Sequence, residues 1–347
     1  MHRKEDHVRV SIVINNYNYR PYVGRAIKSA LGQIHRDTEV IVVDDGSTDG
    51  SPLLIRRFGS KVRLVEQPNG GQGSAYNTGF RLATGDVIIF LDADDWLYPD
   101  AASKVVAAWR PGVSKVQFRL DMVDADGVAL GRQVPRHLHD EQALDLVRQF
   151  GAYGSPPGSG NAYSRAFLRS VLPMDERIWR TAADTVPILL APAYGDVVSL
   201  PMPLGAYRLH RKSDAADQDG SLLSNNAPKG LWHEYERIEW TKRFVEQALQ
   251  RLDLKPRTPQ MLAPWETRLA ALCVRFGEGG PAAADPQHEG SRLMRMALHS
   301  TWRWPLSGIA FKAALSLWLV GVWLLPKPWA LRLAGMHKTS IGAASPS

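Results

Sequence analysis

Three carboxylates fall within four residues, Asp92, Asp94 and Asp95, directly after the apolar run Val87-Ile88-Ile89-Phe90-Leu91. A buried strand cannot hold unpaired carboxylates in its interior, because desolvating each costs several kcal/mol. The acids therefore belong at the strand's carboxyl end, where open α/β sheets place their ligands. Hard oxygen ligands at such an end suit Mg²⁺ or Mn²⁺ carrying a diphosphate. Taken alone, the segment also reads as an acidic turn capping the next helix, since Asp is a good N-cap. A second acidic run, Asp44-Asp45-Gly46-Ser47-Thr48-Asp49, follows Val40-Ile41-Val42-Val43 in the same way.

The elements that must hold these acids alternate between strand and helix. Val10 to Ile14 reads as a β-branched strand running into Asn15-Asn16-Tyr17-Asn18-Tyr19. Tyr22 to Leu31 then sets Tyr22, Ala26, Ile27, Ala30 and Leu31 on one side of a helix. Residues 51–58 predict another helix, and Val62 to Val65 a third strand. Asn69-Gly70-Gly71-Gln72-Gly73 opens a helical segment through Leu82, which leads into the strand before Asp92. Near-continuous apolar strands separated by helices predict a mostly parallel central sheet flanked by helices. Two strands then deliver carboxylates to one sheet edge, which capping alone does not explain.

In their order and at about their spacing, three segments resemble the successive signatures of family-2 glycosyltransferases. They are Val10-Ser11-Ile12-Val13-Ile14-Asn15-Asn16-Tyr17-Asn18, Val42-Val43-Asp44-Asp45-Gly46-Ser47-Thr48-Asp49 and Phe90-Leu91-Asp92-Ala93-Asp94-Asp95. The likeness continues through Asn69-Gly70-Gly71, Asn77-Thr78-Gly79 and Ala83-Thr84-Gly85-Asp86, then reaches Asp184 to His210. It implies a GT-A nucleotide-sugar-binding fold, with a nucleotide site formed by Asn16, Tyr17, Asn18, Asp45, Gly71, Asp92 and Ala93. Tyr17 would stack on the base, or else is a half-buried loop tyrosine. Asp45 would accept the base's ring N–H, which favours uracil, while Asp44 and Asp49 orient the loop or cap the next helix. Asp92 would hold the ribose hydroxyls. The glycines at 70, 71 and 73 serve either a close approach to ligand or a flexible turn; neither a Walker pattern nor Gly-x-Gly-x-x-Gly is present. Asp94 would bind the Mn²⁺ or Mg²⁺ that bridges the two phosphates and stabilises the leaving group. Asp95 would either support that site or cap the segment beginning at Trp96.

The resemblance also places a base for the acceptor hydroxyl in Thr181-Ala182-Ala183-Asp184-Thr185-Val186-Pro187. Asp184 is the matching residue, and it precedes a predicted helix, so it also reads as an N-cap. The family usually shows Glu-Asp where this chain has Ala183-Asp184, and Ala-Arg-Asn where it has Ala75-Tyr76-Asn77. Pro203 to His210 resembles the family's closing strand. His210 would complete the metal shell or touch the diphosphate. Arg208 and Arg211, with Lys212, would pair with phosphate oxygens. The turn-rich Gly154-Ser155-Pro156-Pro157-Gly158-Ser159-Gly160-Asn161 reads as an acceptor-side loop or as plain surface.

At 347 residues, 44% hydrophobic and 22% charged, the chain is ample for a packed core with a smaller second part. The lone Cys273, among Leu269, Ala270, Leu272 and Val274, excludes an internal disulfide and reads as a buried structural thiol. The charged start Met1-His2-Arg3-Lys4-Glu5-Asp6 does not predict a secretory leader. Location sharpens the net charge of +7: Arg292, Arg295, Arg303, Lys312, Lys327, Arg332 and Lys338 lie in residues 290–347, which hold no acid. Interleaved with them are Trp302, Trp304, Trp318, Trp323, Trp329 and the apolar run Ala313 to Leu325. A spanning helix needs about 20 apolar residues, so the tail suits a helix lying in a bilayer surface, or one packing on protein. A nucleic-acid partner is not expected, since the cations do not form a hydrophilic stripe.

The expectation is thus an α/β GT-A catalytic domain over 1–220, a helical extension and loop over 221–290, and a basic, Trp-rich, membrane-associating tail over 291–347. Within the extension, the pattern predicts a helix from Trp232 to Leu252 and a loop from Gly277 to Gly290. The resemblance implies an inverting transferase moving a sugar, most simply from a UDP-sugar, to a hydroxyl of a glycan or lipid-linked acceptor. Its expected place is the cytoplasmic face of the membrane. A nucleotide-sugar nucleotidyltransferase is disfavoured, because Asn15-Asn16-Tyr17 stands where such enzymes carry a Gly-rich basic loop. A non-catalytic, membrane-tethered scaffold on the same fold is the remaining alternative.

Overall fold

The computed structural model describes residues 8–210, 228–256, 261–278 and 286–335. The chain divides into two units, residues 1–144 with 154–212 and residues 145–153 with 213–347.

The first unit is built on one sheet. Its opening half alternates β1 (Val10–Asn16), α1 (Arg20–Leu31), β2 (Thr38–Asp44), α2 (Ser51–Arg56), β3 (Arg63–Glu66), α3 (Gln72–Leu82) and β4 (Val87–Asp92). Val10, Ile12, Ile14, Val40, Val42, Ile89 and Leu91 are buried in a single core with Val23, Ala26 and Ile27 of α1. Helical crossovers force the parallel pairs β1–β2, β1–β4 and β2–β3. Their register decides where the chemistry goes: Asn15 lies opposite Asp92, and Asn16 opposite Asp44. The acid-bearing ends of β2 and β4 therefore flank the end of β1 on one edge.

Downstream come β5 (Trp96–Leu97), α4 (Ala101–Ala107), β6 (Val113–Val123), β7 (Ala129–Val134), α5 (Ala143–Phe150), β8 (Asn161–Ser164), α6 (Arg165–Val171), α7 (Thr185–Leu190) and β9 (Asp196–Arg208). The strand order is β3-β2-β1-β4-β8-β6-β9-β5, with β7 on β6. This corrects the mostly parallel expectation: β8 runs antiparallel to both β4 and β6, β7 to β6, and β5 to β9. The sheet is mixed. The reason is connection length. Only a few residues join β6 to β7, too few for a parallel crossover. Alternation along β7, exposed then half-buried, marks a strand with one wet face.

The second unit is helical, with α8 (Pro228–Arg251), α9 (Pro264–Phe276), α10 (Pro286–Arg303), α11 (Ile309–Leu324) and α12 (Lys327–Leu333). Leu231, Trp232, Leu269, Ala270, Cys273, Met294, Ala297, Leu315, Leu319 and Val322 share its core. Cys273 is buried there and its Sγ donates to the Leu231 carbonyl at 3.2 Å, as a structural thiol should. Of the loop expected over 277–290, residues 279–285 lie outside the described residues, and α10 already begins at Pro286. Proline reads as a breaker, yet in a helix's first turn its missing N–H costs nothing.

One ion pair is embedded in this unit. Lys242 Nζ lies 2.6 Å from Glu266 Oε2 and donates to the Met261 carbonyl, and both side chains are buried. Burial pushes the Glu266 carboxyl up, while Lys242 pulls it back. Lys242→Met should therefore leave an uncompensated acid and destabilise the unit by about 3–5 kcal/mol. The paired change Lys242→Met with Glu266→Gln should recover at least half of that. Urea unfolding followed by tryptophan fluorescence checks both.

Candidate active site

At the shared edge Asn15 Nδ2 donates to Asp92 Oδ1 at 2.8 Å, locking the carboxylate to the neighbouring strand. The Asp92 N–H donates to Ser159 Oγ at 3.1 Å, and that hydroxyl donates to Asp95 Oδ2 at 2.6 Å. Asp95 Oδ1 accepts from the Arg208 N–H at 2.9 Å. The buried Asp95 thus ties the acidic turn to the loop before β8 and to the end of β9. Since β5 and not a helix comes next, Asp95 supports the site and caps nothing.

Arg208 is buried, and its guanidinium donates to the carbonyls of Asp94 and Ala125 at 3.0 and 2.7 Å while lying over Tyr22. It braces the turn that carries Asp94. The phosphate contact expected of it from sequence would have to be made from this braced position. Beyond it, His210 Nε2 meets Asp94 Oδ2 at 2.6 Å, with Tyr19 and Tyr22 edge-on to the imidazole. Arg211 and Lys212 lie outside the described residues.

Charge is concentrated here. Burial, and then the adjacent Asp94 carboxylate, push the Asp92 carboxyl up to about 7, against the pull of Asn15. Burial followed by Asp94 and Asp92 also pushes Asp95 up. A divalent cation relieves this kind of repulsion. Among the described residues, no three His, Cys, Asp or Glu side chains converge as a complete ligand set. Asp94 and His210 supply two. That fits an ion held by one or two side chains and completed by phosphate oxygens and water, and the nitrogen donor favours Mn²⁺ over Mg²⁺.

The expected base stands near these acids, close enough to push the Asp92 carboxyl up. Asp184 is the N-cap residue of α7, but its side chain makes no capping hydrogen bond, so helix capping does not explain it. Ala182, two residues earlier, is held at φ +54°, a left-handed conformation that costs a residue with a Cβ about 1–2 kcal/mol. Contacts with α3 hold the segment in place: Gln72 N donates to the Arg180 carbonyl at 2.8 Å, and Ala183 N to Gln72 Oε1 at 2.9 Å. The Gln72 side chain also lies near enough to Asp92 to pull its carboxyl down. One glutamine therefore joins the base segment to the acids of β4. Beside Asp184 stands Lys115, wholly buried on β6, its Nζ donating to Ser155 Oγ at 2.7 Å. Burial pushes its ammonium well down, and the Asp184 carboxylate opposes that. Gly158 approaches both Asp184 and the Tyr76 hydroxyl so closely that a Cβ there would sit 3.2 Å from the latter. Tyr76, where the family commonly has Arg, is buried and stacks on Phe90 at 3.9 Å. The Gly154–Asn161 segment is therefore no plain surface loop. Asn161 Nδ2 donates to the carbonyls of Pro156, Pro157 and Gly158, and Gly158, Ser159 and Gly160 are buried.

Where the nucleotide is expected, Tyr17 is 48% exposed, and Asn18 beside it is exposed too. Asn16 is buried, its Nδ2 donating to Asp44 Oδ2 at 2.6 Å, and Asn18 adopts φ +56° to accept from the Thr48 N–H at 2.8 Å. Both shape the loop around Tyr17. Asp44 and Asp49 orient backbone, accepting from Ser47 N and from the N–H groups of Arg20 and Ser51. Asp45 accepts from Gln67 Nε2 and from the N–H groups of Gly70 and Gly71 at 2.7 to 2.9 Å. A base N–H would be the fourth donor a carboxylate can accommodate. Gly71 has φ +88°, and a Cβ there would collide with Arg180, so glycine is required. Ala93 is buried under the turn. Sequence reasoning gave no role to Lys115, Ser159 and Gln72. Ser159 and Gln72 at least lay within segments it marked.

Comparison with known proteins runs along the same segments. A family model described as glycosyl transferase family 2 matches residues 11–172. An uncharacterized glycosyltransferase of Nostoc sp., alr2836, is 34% identical over 253 residues, spanning 71% of this chain and 77% of that protein. Chondroitin synthase of Escherichia coli is 42% identical over 108 residues, 30% of this chain but 16% of that much longer protein. Among solved structures, S. aureus TarS 1–349 in complex with UDP-GlcNAc superposes with a TM-score of 0.52 at 16% identity, covering 90% of each chain. A second structure of S. aureus TarS gives a TM-score of 0.54 at 17% identity, with 88% of this chain matched to 50% of that one. The fold is GT-A-like, an α/β architecture on a curled mixed sheet.

Proposed function

The chain belongs to glycosyltransferase family 2, and on that premise we propose that it transfers a sugar from UDP to a hydroxyl of a glycan or lipid-linked acceptor, with inversion at the anomeric carbon. One observation carries the reading: Asp184 lies close enough to Asp92 to push its carboxyl up, and Gln72, which accepts from Ala183 N, also acts on Asp92. The uridine donor is favoured by Tyr17 and Asp45, and TarS holds UDP-GlcNAc on a similar fold.

In the proposed reaction the acceptor hydroxyl gives its proton to Asp184 as its oxygen bonds the anomeric carbon from the face opposite the diphosphate. The bond from that carbon to the diphosphate oxygen breaks, and the nucleoside diphosphate departs. Asp92 orients the donor through its ribose, held in register by Asn15. Bound at Asp94 and His210, a divalent cation would offset the charge that the leaving group acquires.

Calorimetric titration of UDP and then GDP, with and without Mn²⁺, tests the donor assignment. UDP should bind in the presence of Mn²⁺, and more tightly than GDP. Failure of both nucleotides to bind with Mn²⁺ present would remove the basis of the reading.

A further inference from the structure

Helix α11, residues Ile309–Leu324, is apolar on every side, yet only one side is covered. Leu315, Leu319 and Val322 lie in the second unit's core. The line through Ala310, Ala314, Leu317 and Leu324 faces outward, with Leu317 74% and Leu324 67% exposed, and Ile309 beside it at 78%. A surface helix ordinarily turns charged residues outward; here Lys312 is the only charged residue of the helix, and its Nζ donates back to the Trp302 carbonyl. The two expectations for this tail, a helix on a bilayer or one packed on protein, therefore apply to opposite faces of one helix.

The rim tells what covers the outward face. Trp302 stands before the helix and Trp329 after it, 51% and 58% exposed. Arg295, Arg303, Lys327 and Arg332 are exposed around them, Arg332 lying over the Trp329 ring. No acid occurs anywhere in residues 290–347. An apolar strip ending in tryptophans and fringed only with cations complements a hydrocarbon boundary under anionic headgroups. At 16 residues α11 is about 24 Å long, and no helix among the described residues is long and apolar enough to cross a membrane.

We propose that the outward face of α11, with Trp302 and Trp329 at its ends, docks flat on an anionic lipid bilayer. Its partner is thus the membrane surface itself, independent of which donor the first unit takes. Co-sedimentation with phosphatidylcholine vesicles, with and without phosphatidylglycerol, tests it. The wild type should bind the anionic vesicles about tenfold or more tightly than the neutral ones and lose that preference in high salt. Leu317→Glu with Leu324→Glu should cut binding to anionic vesicles by about tenfold or more. Both sites are exposed, so the thermal melt by circular dichroism should not move. Lys327→Glu with Arg332→Glu should remove only the anionic preference. Wild-type indifference to anionic vesicles, or full binding by the Leu317/Leu324 double variant, would overturn the proposal. So would a wild-type dimer, seen by light scattering, that ignores vesicles and that the same double variant converts to a monomer; the face would then belong to a second copy of this chain.

Discussion

Asp184→Asn is expected to lower sugar transfer by roughly 10²–10⁴-fold, the range for losing a positioned general base, while leaving the UDP affinity unchanged. The substitution preserves shape and removes the ability to take a proton, together with the charge that faces Lys115. The start of α7 should hold, because the Asp184 side chain makes no capping bond to it, and a thermal melt measures the stability lost with the charge beside buried Lys115. The backbone around it is held by groups the substitution does not touch: Ala183 N on Gln72 Oε1, and Thr185 N on the Ala182 carbonyl. The loss should appear in kcat and be nearly absent from the donor's KM, since the group acts on the acceptor in the transition state. Lys115 should sharpen the effect. Its ammonium, pushed down by burial, is favoured by the Asp184 carboxylate, and that support is lost with the charge. Stopped assays of product formation alongside calorimetry of UDP separate the two quantities. Near-normal turnover in Asp184→Asn would place the base elsewhere.

Much of this arrangement was legible because it is local. Apolar runs ending in acids fixed β2 and β4, and parallel pairing then set Asn15 opposite Asp92. The residues that organise the site from behind were hidden for the opposite reason. Lys115 interrupts an ordinary-looking strand, Val113-Ser114-Lys115-Val116-Gln117, and nothing within that segment says that β6 is covered on both faces. Its electrostatic partner arrives from α7, nearly seventy positions later. Arg208 shows what residue type leaves out: arginine suggests phosphate, and the strand pairing of β9 with β6 and β5 also presents its guanidinium to the carbonyls of Asp94 and Ala125. The tail was half legible. Its hydrophobicity was plain in the sequence, but which side of α11 is buried depends on α9 and α10, whose packing no periodicity within α11 encodes.

Asp94→Ala should abolish the Mn²⁺-dependent part of UDP binding and lower turnover by roughly 10²–10³-fold, the equivalent of about 3–4 kcal/mol of leaving-group stabilisation. The fold should survive. Asp94 is half-buried, and its side-chain partner among the described residues, His210 at 2.6 Å, is itself partly exposed. Asp95→Ala supplies the contrast, because it unties Ser159 and the Arg208 backbone and should be destabilising. Loss of metal response in a stably folded Asp94→Ala protein would therefore report on coordination and not on collapse of the turn. Residual, metal-independent UDP affinity should remain, since Tyr17, Asp45 and Asp92 are untouched. His210→Ala should weaken the same metal response more mildly, as imidazole brings no charge to offset. If chelation and Asp94→Ala both left turnover intact, the departing diphosphate would have to be stabilised by protein cations alone, and the metal assignment at Asp94 and His210 would fall.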